Sequence, residues 1–447
     1  MKYIRRLSVL AVALGLALVA CSNASSGGGG GGGSTGSAPA NSANGAPGVS
    51  ASEIRFAALG TNSNNPLGTC VLDCYAQGVK AYFAYQNSKG GVFGRKLVLS
   101  KLVDDQLGQN KQGALQIITA NDTFATFSAP QLATGWPDLA KAGIPNYADP
   151  YFPADMAGKD SAYSTVGMNC IECTSRTYPY AAQLLGAKKI AALGYGVSEN
   201  SKQCVNSVVA TTKLYAAQTG QSVVYSNNSL PFGLPNGIGP EVSAMKRAGA
   251  QAIMLCIDLN GAKTVATELQ RQGVSNAKLV MPNTYDKDFL AKAGNLFDGD
   301  IVGTPFVPFE ANPKGSGLAD FLSWVPKTGG KLTDYAMYGW VSADLAYQGI
   351  KAVGPSFTRS SVIAATNKLT DYDAGGLVVP VDWSRQHQAP TQSDPITHGP
   401  KLECFAFLKV VSGSKLQIVG GTNDKPFACW ETAKRNWYQP VPTSFGS

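Results

Sequence analysis

Ser243-Ala244-Met245-Lys246 and, further along, Lys327-Thr328-Gly329 carry the residue types of a serine acyl-transfer centre. In that chemistry the lysine of S-x-x-K activates the serine, and a K-T-G strand edges the site. The surroundings speak against it. Ser243 falls inside a helix-like stretch ending at Gly249, while Pro326 and Gly330 bracket Lys327-Thr328-Gly329 as a loop between helices. The only histidines, His387 and His398, share a Pro- and Gln-rich stretch, which argues against a His-based triad or a multi-histidine metal site. No G-x-S-x-G and no P-loop occurs. Asp104-Asp105 sets two carboxylates side by side, but adjacent residues on a strand point to opposite faces. The reading is a binding protein with no metal or cofactor, not an enzyme.

The cysteines carry the remaining reactive chemistry. Cys170-Ile171-Glu172-Cys173 has the spacing of a redox pair, yet it lies in a loop of Gly, Met, Asn and Thr and lacks the βαβ context that such a pair needs. A zinc site shared with Cys70 and Cys74 is a lesser option, since exported thiols oxidise first. The chain has nine cysteines, of which Cys21 is set apart below, leaving an even number that allows 105 connectivities. Short loops favour Cys70 with Cys74 and Cys170 with Cys173. Cys404 with Cys429 brackets an expected C-terminal hairpin, and Cys204 with Cys256 follows by elimination.

Export is written at the N-terminus. Lys2, Arg5 and Arg6 precede an apolar run from Leu7 to Ala20 that stops at Cys21, a signal too short for a comfortable membrane span. Leu18-Val19-Ala20-Cys21 resembles the bacterial lipobox, which implies cleavage after residue 20 and a lipidated Cys21. Two or more acyl chains on one residue give stable anchoring. Residues 21–51 are Gly- and Ser-rich and include seven consecutive glycines, Gly27 to Gly33. Nothing in them offsets ordering entropy, and roughly 30 such residues reach about 30 Å as a coil.

The rest, about 400 residues, suffices for two packed lobes. A formal charge of +8 is spread over scattered Lys and Arg, a pattern of solubility and not of nucleic-acid binding. Strand-like and helix-like stretches alternate with the βα rhythm of a parallel sheet. A first series runs from the strand Ile54 to Leu59 and the helix Tyr75 to Gln86 to the strand Pro145 to Ala148, passing a strand at Thr123 to Phe127. A second runs from the helix Tyr178 to Leu185 and the strand Lys189 to Leu193 to the strand Asp300 to Gly303.

Ala84-Tyr85-Gln86-Asn87-Ser88-Lys89-Gly90-Gly91-Val92-Phe93-Gly94-Arg95-Lys96-Leu97, followed by Asp104-Asp105, resembles the helix-turn-strand segment of the branched-chain amino-acid-binding family of periplasmic proteins. Two further segments are similar to that family: Thr333-Asp334-Tyr335-Ala336-Met337-Tyr338-Gly339-Trp340, leading a helix to Ala352, and Pro282-Asn283-Thr284-Tyr285, where the family has a ligand-contacting loop. The likeness spans Ile54 to about Trp383. It implies an α/β, two-lobed type I periplasmic-binding-protein fold, each lobe a parallel sheet flanked by helices, with the ligand cleft between lobes. The expected lobes are 52–174 with about 305–376, and 175–304 with about 377–447. It also implies delivery of a small-molecule ligand to the permease subunits of an ABC importer.

In open α/β sheets ligands sit beyond the carboxyl ends of the strands. That rule nominates Asn62, Ser128 and Tyr151 in the first lobe, and Tyr195, Asp258, Asn283 and Tyr285 in the second. Ser and Asn also serve as turn and cap residues. Asn283 stands where the family places an acid for the ligand's ammonium, so an α-amino acid is no more expected than an amide, a urea or a simple carboxylate. A lipid-anchored sensor or scaffold of the same fold is the alternative reading.

Overall fold

A computed structural model describes residues 45–65, 68–149, 156–167, 175–282, 284–388, 402–412 and 415–431. The expected signal peptide, Cys21, the tether as far as residue 44, Tyr151, Cys170, Cys173, Asn283 and His398 lie outside them. Residues 45–51, expected as the end of the tether, instead pack on the first lobe: Ala46 is buried, Val49 bridges Ile54 and the Arg55 N–H donates to the Gly48 carbonyl.

The first sheet contains β1 (Glu53–Gly60), β2 (Lys96–Asp104), β3 (Ala125–Ala129), β4 (Asn146–Ala148) and β5 (Ala162–Ser164), all parallel, in the order β2-β1-β3-β4-β5. Helices α1 (Leu72–Ser88), α2 (Asn110–Ala120) and α3 (Trp136–Lys141) connect the first four strands. Gly90, Gly91 and Gly94 all adopt positive φ; the Gly91 N–H reaches back to the Gln86 carbonyl, closing α1 before the chain turns into β2.

The second series repeats the order. β6 (Lys189–Tyr195), β7 (Ser222–Leu230), β8 (Ala252–Cys256), β9 (Lys278–Met281) and β10 (Ile301–Thr304) run parallel as β7-β6-β8-β9-β10. Between them lie α4 (Thr177–Leu184), which precedes β6, α5 (Glu199–Leu214), α6 (Ala216–Thr219), α7 (Gly239–Ala248), α8 (Leu259–Arg271) and α9 (Lys287–Ala293). This sheet is not purely parallel, which corrects the expectation. β11 (Leu402–Val411) pairs antiparallel with β10, and β12 (Lys415–Val419) and β13 (Phe427–Glu431) pair antiparallel with β11. The C-terminal segment thus widens the second sheet beyond the βα repeat: β11 adds to the β10 edge after the return through the first lobe, and the tight reversal between β11 and β12 gives their antiparallel pairing.

After β10 the chain returns to the first lobe as α10 (Leu318–Lys327), α11 (Asp334–Val353) and α12 (Arg359–Thr366). α11 lies against α1 so closely that Gly339 faces the backbone of Tyr75, and Gly78 faces that of Ala336. The sheet beneath carries an aromatic row in register: Phe127, Tyr147 and Tyr163 are successive cross-strand neighbours, with Tyr147 and Tyr163 stacked at 5.1 Å and Trp383 edge-on to Tyr163 at 5.3 Å. Burial of such rings is a large share of the lobe's apolar stabilisation.

Disulfides join Cys70–Cys74, Cys204–Cys256 and Cys404–Cys429, as expected. The first staples the loop before α1, the second ties α5 to β8, and the third links residues directly opposite on β11 and β13. The serine-lysine pattern dissolves: Ser243 on α7 donates to Gln272 Oε1, Lys246 to the Gln272 carbonyl, and Lys327 ends α10 in the other lobe.

Candidate ligand-binding site at the lobe junction

A 2-1-3-4-5 strand order reverses direction between its first and third strands, and the crevice opens beyond their carboxyl ends. In the first lobe that point is closed by a buried polar network. Thr61 Oγ1 donates to Asp105 Oδ1 at 2.8 Å and accepts from the Gln131 N–H at 2.9 Å; Asp105 Oδ2 accepts from Asn110, whose Oδ1 takes the Gly135 N–H. Asp104 grips the facing loop by accepting from the backbone of Asn62, Ser63 and Gln106. Burial works against its charge, yet the Ser63 and backbone donors outweigh that and hold its carboxyl below the ordinary value. The paired aspartates build loops; they do not meet.

The nominated residues separate on inspection. Asn62 stands exposed past β1, with its backbone held by Asp104. Ser128 lies inside β3, not beyond it, and its hydroxyl is occupied by Asn146 Oδ1 at 2.6 Å. Asp258 is the N-cap of α8, accepting from Gly261 N, and also accepts from the Tyr195 hydroxyl. Tyr285 is buried; it donates to Glu310 Oε2 at 2.5 Å and accepts the Phe309 N–H at 2.6 Å. It pins the β9–α9 loop to the segment returning after β10. Ser128, Tyr195, Asp258 and Tyr285 therefore have partners within the fold.

Sequence reasoning passed over the residues that meet where the lobes face each other. Asp149 follows β4 directly. Its Oδ1 is sealed from solvent and accepts no hydrogen bond among the described residues. Over it lies the first turn of α11, started by the Thr333 side chain accepting from Ala336 N. That turn presents Asp334, Tyr335 and Tyr338, all partly exposed, with the two rings edge to face at 6.1 Å. Tyr75 approaches from α1, its hydroxyl donating to the Tyr147 carbonyl at 3.0 Å. The second lobe contributes Asp286, the N-cap of α9. Lys331 Nζ and Asp288 stand 3.4 Å apart across the same junction, and on its other side Gly68 abuts Asn260.

The local field is negative. Burial pushes the Asp149 carboxyl well above its ordinary value, and Asp334 adds to the rise against an opposing hydrogen bond from Tyr335. Burial lifts Asp334 to about 7, aided by Asp286 and opposed by the Tyr335 N–H. The Tyr335 and Tyr338 hydroxyls are driven up by burial and then by the same two aspartates. Among the described residues no group of three or more His, Cys, Asp or Glu is arranged to hold a metal ion. A signal for this cluster existed: Thr333 to Trp340 carried the family likeness, and Asp149 is the first residue past a strand end.

The sequence profile of the family described as "Periplasmic binding protein" matches residues 53–412. The chain belongs to that family. Its fold is shared with a fatty acid ABC transporter substrate-binding protein from Thermomonospora curvata, at 17% identity, a TM-score of 0.66 and coverage of 89% of this chain and 97% of the other. It is shared also with a leucine-binding protein from Thermotoga maritima, at 13% identity, TM-score 0.65 and coverage of 86% and 99%. A third is the solute-binding protein of an ABC transporter from Rhodopseudomonas palustris HaA2 in complex with p-hydroxybenzoic acid, at 18% identity, TM-score 0.64 and coverage of 85% and 97%. No curated protein sequence matches the chain. The family establishes an extracytoplasmic solute-binding protein of the type I fold; identities this low carry the fold across and leave each ligand with its own protein.

Proposed function

We propose that the protein is the solute-capturing lipoprotein of a bacterial ABC importer. Cys21 carries the lipid, residues 21–44 form the tether, and two lobes close around one small molecule and hand it to the permease subunits. The return segment stays with the first lobe past residue 376, where Trp383 and His387 pack on β5, and the second lobe takes residues 175–304 with the C-terminal strands. The observation that carries this reading is the approach of side chains from opposite lobes, Lys331 Nζ to Asp288 at 3.4 Å, beside an aspartate oxygen that accepts no hydrogen bond among the described residues. A ligand bridging such a junction binds the closed arrangement better than the open one, and that difference is what drives closure. The contacts proposed are Asp149, Asp334, Tyr335 and Tyr338 with Gln131, together with Asn62 at the rim. Tyr151 and Asn283, which lie outside the described residues, are proposed as further contacts because they follow Asp149 and precede Tyr285 by two residues in the sequence. Ser128, Tyr195, Asp258 and Tyr285 act as supports.

The test is thermal and urea unfolding of the full chain in mild detergent, with the low-mass fraction of a cell extract or spent medium added. A ligand at about 100 times its dissociation constant adds about 2.7 kcal/mol. Stabilisation by some fraction is expected; none from any fraction refutes a solute-capture role.

A further inference from the structure

Resting on that reading, we infer that the ligand presents a cation, an ammonium or amidinium group on a small apolar body, to Asp149 and Asp334, with the rings of Tyr335 and Tyr338 as walls. Asp149 Oδ1 is sealed and accepts no hydrogen bond among the described residues, so that the Tyr335 hydroxyl is the one side-chain donor acting on the carboxylate, and a buried carboxylate oxygen is costly in that state. The charged groups acting on Asp149 and Asp334 are each other and Asp286, all acids. The two lysines near the junction are paired with other acids, Lys287 with Glu310 at 2.7 Å and Lys331 with Asp288 at 3.4 Å. A ligand carboxylate brought here meets like charge; an ammonium supplies the missing counter-charge and the missing donor together.

The aromatic geometry agrees. Tyr335 and Tyr338 sit one turn apart on α11 with planes at 87°, so they form a corner. Aromatic faces attract cations most strongly where water is excluded. Both rings remain partly exposed, while Tyr75 behind them is fully buried.

Proton linkage gives the pH signature. The groups facing the aspartates are Tyr75 from α1, Tyr335 and Tyr338 from α11, and Tyr285 and Asp286 from the second lobe. Tyrosines pushed upward stay protonated through neutrality, so the carboxylates govern. A cation binds the ionised acids and gains affinity as pH rises; a carboxylate accepting from protonated acids loses it.

The experiment is calorimetric titration of the full chain in detergent with choline, benzylamine and putrescine as cations, and with 4-hydroxybenzoate and octanoate as carboxylates that carry no ammonium. The expected result is binding of at least one cation, strengthening about tenfold or more from pH 5.5 to pH 8. Asp149→Asn should weaken it about 100-fold or more, because the charge pair is lost at a shielded site; Tyr338→Leu should cost several-fold and Tyr338→Phe little. If Asp149→Asn does not fold, Asp334→Asn and Tyr338→Leu decide with the same probes. Binding of a carboxylate that is unchanged or tightened by Asp149→Asn overturns the cation while leaving solute capture intact. So does stabilisation by an extract fraction when every cation fails. Failure of extract and probes alike removes both readings.

Discussion

Gly339→Ala is the most demanding test of how the site is positioned. A methyl on Gly339 would lie 2.9 Å from the Tyr75 carbonyl carbon and 3.1 Å from the Val79 nitrogen, with the Tyr75 oxygen nearer still. From the other side, a methyl on Gly78 would lie 2.7 Å from Ala336 C and 2.9 Å from Trp340 N. All of these are backbone atoms inside helices, so no side chain can rotate away. Carbon contacts settle at about 3.5–4.0 Å, and α1 and α11 must therefore part by roughly half an ångström or more. Overpacking of this kind costs about 1–3 kcal/mol, against which alanine's helix preference returns about 1 kcal/mol. Contacts this short belong to the upper end of that range, so the net expectation is a loss of about 2 kcal/mol, read as a lowered urea midpoint with an unchanged slope. Because both glycines set one spacing, Gly78→Ala added to Gly339→Ala should cost less than the separate effects combined. Tyr75 rides on α1 and Tyr335 and Tyr338 on α11, so affinity for the solute should fall as well. Equal or higher stability of Gly339→Ala, or strictly additive losses, would refute backbone contact between these helices.

Asp334→Asn should stabilise the ligand-free protein above neutral pH while weakening ligand binding. The folded-state value near 7 lies above the unfolded value of about 3.9. The folded state therefore holds the extra proton between them, and stability falls as pH rises through that window. At about 1.36 kcal/mol per tenfold the ceiling is about 4 kcal/mol; partial solvent access reduces this to about 1–2 kcal/mol, measurable by urea unfolding at pH 5 and pH 8. Ser128→Ala orphans the Asn146 oxygen and should cost about 1–3 kcal/mol of stability with affinity unchanged; a loss of affinity at intact stability would put the hydroxyl back in the site. Reduction of Cys204–Cys256, whose residues are 52 apart in sequence, should lower stability by about 4 kcal/mol on the chain-entropy account, checked by urea unfolding of the Cys204→Ser/Cys256→Ser pair. Cys21→Ser should release the protein from membranes into the soluble fraction, and retention would remove the lipid anchor.

What the sequence by itself determined is local. Strand and helix positions follow from periodicity and from glycine, so that β1, α1, β3, β4, α4, β6 and β10 each lie within three residues of the bounds expected for them. The Gly90-Gly91-Gly94 turn needs positive φ, which only glycine adopts freely, and it was legible for that reason. The βα rhythm implied parallel sheets, and the described disulfides followed from loop length, an expected hairpin and elimination. Only the tertiary structure decided which polar residues are free to meet a ligand. Ser128, Tyr195, Asp258 and Tyr285 look available at strand ends, yet each is satisfied by a neighbour that position alone does not reveal: Asn146, each other, and Glu310. Asp149 and Asp334 stand far apart in the chain and become neighbours because two glycines let α11 settle on α1 above the end of β4. Conformational preference is a property of a few consecutive residues, whereas the burial of a charge is set by everything packed around it.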